Sequence, residues 1–242
     1  MLKSLQNLLA VIYDVPVEHD VADFLPTDRS RLPESARPSG TAEQMLVAED
    51  GDTLWVSVYL ELALLQRLAA SDPFEALHAG NIADYWTVLE GVSHFVYLVW
   101  NASYDRQITL LELQAEVDKY VASVWLLRAQ NPKRFPAELH YLLFERARVD
   151  DVLAGDRAGL YRTANRYAAR FCRRLARTLR PAGSAAQAAE AAGAYLAPGR
   201  LGRPGRGDRR AAEVLPPRAR AEAPAYRTYG LIRAARLLLR GP

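Results

Sequence analysis

Cysteine occurs once in the 242 residues, at Cys172, and methionine only twice. A single cysteine excludes an internal disulfide framework and fits a reducing compartment, so a cytosolic protein is expected. Long apolar runs are also missing. The longest, such as 95–100, fall far short of the roughly 18–20 residues a bilayer span needs. The first thirteen residues have helical leucine spacing but one lysine and no small-residue cleavage site, which reads as an amphipathic helix rather than a signal peptide. No G-x-S-x-G, phosphate-binding loop or dinucleotide fingerprint occurs, so the common hydrolase, nucleotidase and dehydrogenase signals are lacking. Histidines 19, 78, 94 and 140 are scattered and form no H-E-x-x-H motif, and no repeat of 20–50 residues is visible.

What is present is a pair of helical patterns. In 84–101, Tyr85, Val88, Leu89, Val92, Phe95, Val96 and Val99 recur at steps of three and four; in 109–130, Leu110, Leu113, Val117, Tyr120, Val121, Val124 and Leu127 do the same. Two such faces joined by the short polar stretch 101–106 leave water by packing on each other and on further helices. Asn81 with Asp84, and Thr109 with Glu112, have capping-box spacing. This helical hairpin is the predicted centre of the fold.

Around it, the sequence predicts an N-terminal helix and a Pro-punctuated extended segment to about residue 40. A β-hairpin follows, with strands at 43–47 and 53–59 about Glu49-Asp50-Gly51-Asp52, because Asp-Gly accepts the positive φ of a tight turn. Residues 11–15 are the candidate third strand. A helix over 61–70, a short one from Asp72 to Gly80, one from Pro136 to about Gly155 and a last one from Asp156 to about Arg180 complete the pattern. The predicted class is α+β, mainly α: a helical bundle built on the central hairpin with an N-terminal β-hairpin.

Charge is divided unevenly. Residues 1–150 carry 12 Lys/Arg against 22 Asp/Glu, a net −10; residues 151–242 carry 19 against 6, a net +13. The domain reading is 1–40 as N-terminal helix and extended segment, sharing one core with the hairpin and bundle of 41–180, then a tail over 181–242. In that tail Ala, Arg, Gly and Pro make up 43 of 62 residues. Such composition predicts disorder, or a frame-shifted end with no evolved role.

Two sets of residues are candidates for function. Glu90 and His94 lie four apart on one helix, Glu112 and Glu116 four apart on the next, and antiparallel packing would bring them together. Carboxylate-bridged iron or manganese sites in bundles follow this logic, although they use Glu and His three apart, twice. The competing reading is a solvated polar face, with Glu112 capping and Glu116 paired to Lys119. The second set is the arginine row Arg162, Arg166, Arg170, Arg173 and Arg177, extended by Arg174 and Arg180, opposite a stripe of Leu160, Ala164, Tyr167, Ala168, Phe171, Leu175 and Leu179. It suits the acidic body of the chain, a second copy or a protein partner, and less so nucleic acid, since no base-reading motif accompanies it. Cys172 reads as a small core residue. The preferred function is a non-enzymatic interaction or regulatory module without cofactor. The alternatives are a metal-dependent oxidase or hydrolase and a nucleic-acid binder.

Overall fold

The computed structural model describes residues 1–50, 53–100, 108–146 and 156–181, positions 187, 190 and 192, and strands at 211–214 and 227–229. The protein is mainly helical with an N-terminal antiparallel β-hairpin, as its periodicities predict. Helix α1 (Leu2–Tyr13) buries Leu5, Leu8, Leu9 and Ile12 and ends at Asp14, whose φ of 51° is left-handed. Residues 11–15 are therefore not a strand. Gln6, also on the buried side, holds the segment after α1 in place: its Nε2 donates to the His19 carbonyl at 2.7 Å, and its Oε1 accepts the Val21 amide at 2.8 Å. Three short 3-10 segments, Val21–Phe24, Arg29–Arg31 and Glu34–Ser39, punctuate the predicted extended segment.

Strands β1 (Glu43–Asp50) and β2 (Thr53–Leu60) pair antiparallel from Glu43↔Leu60 to Asp50↔Thr53. The Gly51-Asp52 turn itself lies outside the described residues. One face of the ribbon feeds Met45, Val47, Val56 and Val58 into the main core, while Leu46 and Tyr59 on the other meet Leu32 and Ala36. A two-stranded ribbon is marginal in water. Here it gains β3 (Ala211–Val214), parallel to β2, and β4 (Arg227–Tyr229), antiparallel to β1, for the order β3-β2-β1-β4. These two strands belong to the segment read as a disordered or frame-shifted tail, and they pair with the hairpin. Most of the remainder of that tail lies outside the described residues.

Helix α2 (Leu62–Ala70) stops at Ser71. The short helix expected from Asp72 is a single turn, in which the Asp72 carbonyl accepts from Glu75 and Ala76 and its Oδ1 from Phe74. Asn81 explains why no capping box follows. Its side chain is spent backwards, accepting from the His78 amide at 2.9 Å and donating to the Ala76 carbonyl at 2.8 Å, while Asp84 pairs with Arg67 at 2.7 Å.

Helices α3 (Ile82–Trp100) and α4 (Ile108–Gln130) form the predicted hairpin. Val92, Phe95, Val117, Tyr120 and Val121 are buried as expected, but Leu110 is exposed and Leu113 and Leu127 are half-buried. The larger departure is that α3 has no wet face over most of its length. The unbroken run from Val88 to Val96 is buried, because α1, α2, α4 and the β-hairpin surround the helix. Trp86 Nε1 donates to Ser123 Oγ at 2.9 Å and ties the two arms. Beyond α4, the helix expected from Pro136 begins as α5 (Leu139–Tyr141), continues as a π turn over Leu142–Arg146, and then leaves the described residues. Helix α6 (Asp156–Leu179) packs on α4. Among the described residues, no helix is long and apolar enough to cross a membrane.

Candidate metal centre

Because α3 is enclosed, its polar residues are enclosed with it. Glu90 and His94 share one side of α3 and meet Glu112, Glu116 and Lys119 of α4; Glu43, at the start of β1, approaches from the hairpin. Glu90 is 2% exposed, His94 0% and Glu112 1%. The solvated polar face expected from sequence is thus a core, and the four candidate ligands are brought into one buried cluster. The Glu43 approach depends on Gly91. A Cβ there would lie 2.9 Å from Val58 Cγ1 and 3.2 Å from Glu43 Cγ. Gly91→Ala is therefore expected to destabilise by about 1–3 kcal/mol through overpacking, read as a lowered denaturant midpoint. A parental midpoint would mean that helix and ribbon do not approach so closely.

Within the cluster the partners are unequal. Lys119 Nζ sits 2.7 Å from Glu90 Oε2 and 2.7 Å from Glu116 Oε1. Glu116 is therefore committed to the ammonium, as its i,i+3 spacing suggests. His94 lies between two carboxylates without a hydrogen bond to either: Nδ1 is 3.7 Å from Glu43 Oε1, and Nε2 is 3.8 Å from Glu112 Oε2. Both His94 ring nitrogens, both Glu112 oxygens, Glu90 Oε1 and Glu43 Oε1 are buried without a hydrogen-bond partner. Glu112 thus makes no capping bond. Buried polar groups are ordinarily paired, because an unmade bond forfeits the hydration lost on burial.

The electrostatics follow from this crowding. Burial pushes the Glu112 carboxyl up to about 8 and raises Glu43 and Glu116 as well. Burial also works against the imidazolium of His94, but the Glu112 and Glu43 carboxylates outweigh it and lift the group to about 9. Lys119 is held charged in the same way, burial being overcome by Glu116 and Glu90. A separate network beside the cluster is saturated. Asp118 accepts from Tyr13 Oη, from Ser93 Oγ at 2.6 Å and from Gln114 Nε2 at 2.9 Å, while burial pushes it up to about 6.

A divalent ion fits the unpartnered atoms. Glu90, His94 and Glu112 each offer one ligand atom, and all three lie within 4.8 Å of one another. Ligand atoms each about 2.1 Å from a common ion are roughly 3–4.2 Å apart, so the 3.8 Å between His94 Nε2 and Glu112 Oε2 needs little adjustment. Two carboxylates and an imidazole suit manganese, iron or zinc. Glu43, on the opposite ring nitrogen, would accept the Nδ1 proton and fix the tautomer that leaves Nε2 free. Neither Glu43 nor Asp118 is legible as a site residue in the sequence. Glu43 reads as an ordinary strand position, and Asp118 offers only the local i,i+4 pair with Gln114, which marks a helix face and not a site.

The arginine row lies elsewhere. Arg162, Arg166, Arg170, Arg173 and Arg177 are exposed along α6, whose buried stripe is Tyr161, Ala164, Ala168, Cys172, Leu175 and Leu179. Leu160 and Tyr167, expected in that stripe, are exposed. Among the described residues the row has one ion pair, Arg173 with Glu145 at 3.2 Å. Cys172 is buried and its thiol is pushed up by that burial, which suits a core residue and not a nucleophile. No protein family model, no curated protein and no solved structure matches the chain.

Proposed function

We propose that this chain is a metal-stabilised, non-enzymatic interaction module of the cytosol. In this reading a divalent first-row cation at Glu90, His94 and Glu112 locks the two central helices together. The observation that carries it is the convergence of unpartnered, buried carboxylate and imidazole atoms on one place. Solvent-shielded ligands favour a structural ion over a catalytic one, since catalysis needs a coordination position that substrate can reach. The oxidase or hydrolase alternative uses the same ligands and would require that access.

The working surface proposed for the module is the arginine face of α6, and its partner is an acidic protein surface or a second copy of the chain. The support is that these guanidinium groups stand exposed with one described counter-charge among them. Replacing Arg166, Arg170 and Arg177 by Gln should leave the melting temperature unchanged while weakening association with an acidic partner or self-association. A steep salt-dependent affinity of the parent for random duplex DNA, lost in this variant, would instead favour the nucleic-acid reading.

The metal is tested on the purified full chain. After chelation and removal of chelator, manganese or zinc added to about 100-fold above its dissociation constant should stabilise by about 2.7 kcal/mol. For a chain of this size that is on the order of 5–10 °C of melting temperature. Glu112→Gln keeps the shape and removes a ligand charge, so the same addition should shift it little. Equal shifts for parent and variant would assign the ion to another place.

A further inference from the structure

We infer that Lys119 occupies the second cation position of this cluster and so fixes the centre at one divalent ion per chain. The inference rests on the metal reading above and adds its nuclearity. Glu90 is the pivot. Its Oε2 contacts the Lys119 ammonium at 2.7 Å, whereas its Oε1 is buried and unpartnered on a residue that groups with His94 and Glu112. One carboxylate thus meets a fixed cation with one oxygen and keeps the other buried and unpartnered, on a residue that also groups with His94 and Glu112. In two-metal sites a bridging carboxylate gives one oxygen to each of two ions roughly 3.5–4 Å apart. Glu116 reinforces the comparison, because it also grips the ammonium at 2.7 Å, as a terminal carboxylate would grip a second metal.

Charge counting points the same way. Glu43, Glu90, Glu112 and Glu116 bring four potential negative charges into a region that is 4% exposed or less. One divalent ion and one ammonium neutralise three of them, and the remaining carboxylate, Glu43, has the Nδ1 proton of His94 to accept. Without the ammonium, four carboxylates would call for two divalent ions. Asp118 cannot serve as a further ligand without breaking bonds, since both its oxygens are taken by Tyr13, Gln114 and Ser93. Lys119 is thus a positioning residue: it orients Glu90 and denies Glu116 to a metal.

The test is stoichiometry. Metal-free full-length protein is loaded with manganese, freed of excess ion by gel filtration, and assayed for metal per chain by atomic emission. The expected result is one ion for the parent and for Lys119→Arg, and two for Lys119→Ala. The alanine variant should recover the parental circular dichroism only when manganese is present. Should Lys119→Ala fail to fold even then, the manganese paramagnetic resonance of the parent decides. A six-line spectrum of an isolated ion supports the inference, and an exchange-coupled pair overturns it. A parent that holds two ions, or a folded Lys119→Ala that holds one, overturns the role of Lys119 and leaves the metal site standing. A parent that holds none removes both.

Discussion

Between pH 6 and pH 9 the metal-free protein should lose on the order of 10 °C of melting temperature. In the unfolded chain, glutamates deprotonate near 4.5 and histidine near 6.5, whereas in the fold burial holds the Glu112 proton to about 8. His94 keeps its proton to about 9, burial being outweighed by Glu112 and Glu43. The folded state therefore binds more protons throughout this window, and stability falls with pH wherever that is so. For His94 the contribution is complete below 6.5 and is lost as pH rises through about 9. For Glu112 the loss runs from 4.5 to about 8. A tenfold change in proton affinity between the unfolded and folded states is worth about 1.4 kcal/mol, and 1 kcal/mol moves the melting temperature of a domain this size by about 2–4 °C. Because the two groups share one interaction, a few kcal/mol is the reasonable total. Saturating manganese should flatten or reverse the slope, because the ion takes the place of the protons and binds the deprotonated ligands. A metal-free melting temperature that stays level from pH 6 to 9 would mean that these side chains are not enclosed together.

Val92→Asp should unfold the protein or cost it at least about 4 kcal/mol. Val92 is fully buried in α3, among side chains of the main hydrophobic core. The change forfeits the burial of an aliphatic side chain, about 1.5–3 kcal/mol, and places an unpaired carboxylate where water does not reach, which adds several more. It would also bring a further negative charge into a helix that already buries Glu90. Val92→Ala, which loses packing alone, should cost about 2 kcal/mol, so that the difference between the two variants isolates the charge. Thermal or urea denaturation followed by circular dichroism makes the comparison. Equal stability of Val92→Asp and parent would put Val92 on a solvent-facing side of α3.

The two helical arms were legible because their apolar residues recur at the period of the helix. The β-hairpin was legible because Asp-Gly stands between two runs that contain β-branched and aromatic residues. Local signals failed where a side chain had a better partner farther away. Asn81 has the spacing of a cap, yet its amide serves the turn before it, and residues 11–15 have strand composition but continue and close α1. The paired strands at 211–214 and 227–229 are hidden in a composition that predicts disorder.

By itself the sequence determined which residues repeat on a helix and that Glu90 with His94, and Glu112 with Glu116, stand one turn apart on two adjacent arms. Periodicity carries that information, since it depends only on neighbours along the chain. Whether those residues face water was decided by tertiary structure alone. An i,i+4 polar pair looks the same on a wet helix face as on a buried one, and the difference here is that α1, α2, α4 and the β-hairpin close around α3. The same closure brings Glu43 from 47 positions before Glu90 to the side of His94, and it assigns Lys119 to Glu90 as well as to Glu116. Contacts between elements far apart in sequence leave no periodic trace, which is why the candidate ligands could be named from the chain but their burial, their missing partners and their common meeting point could not.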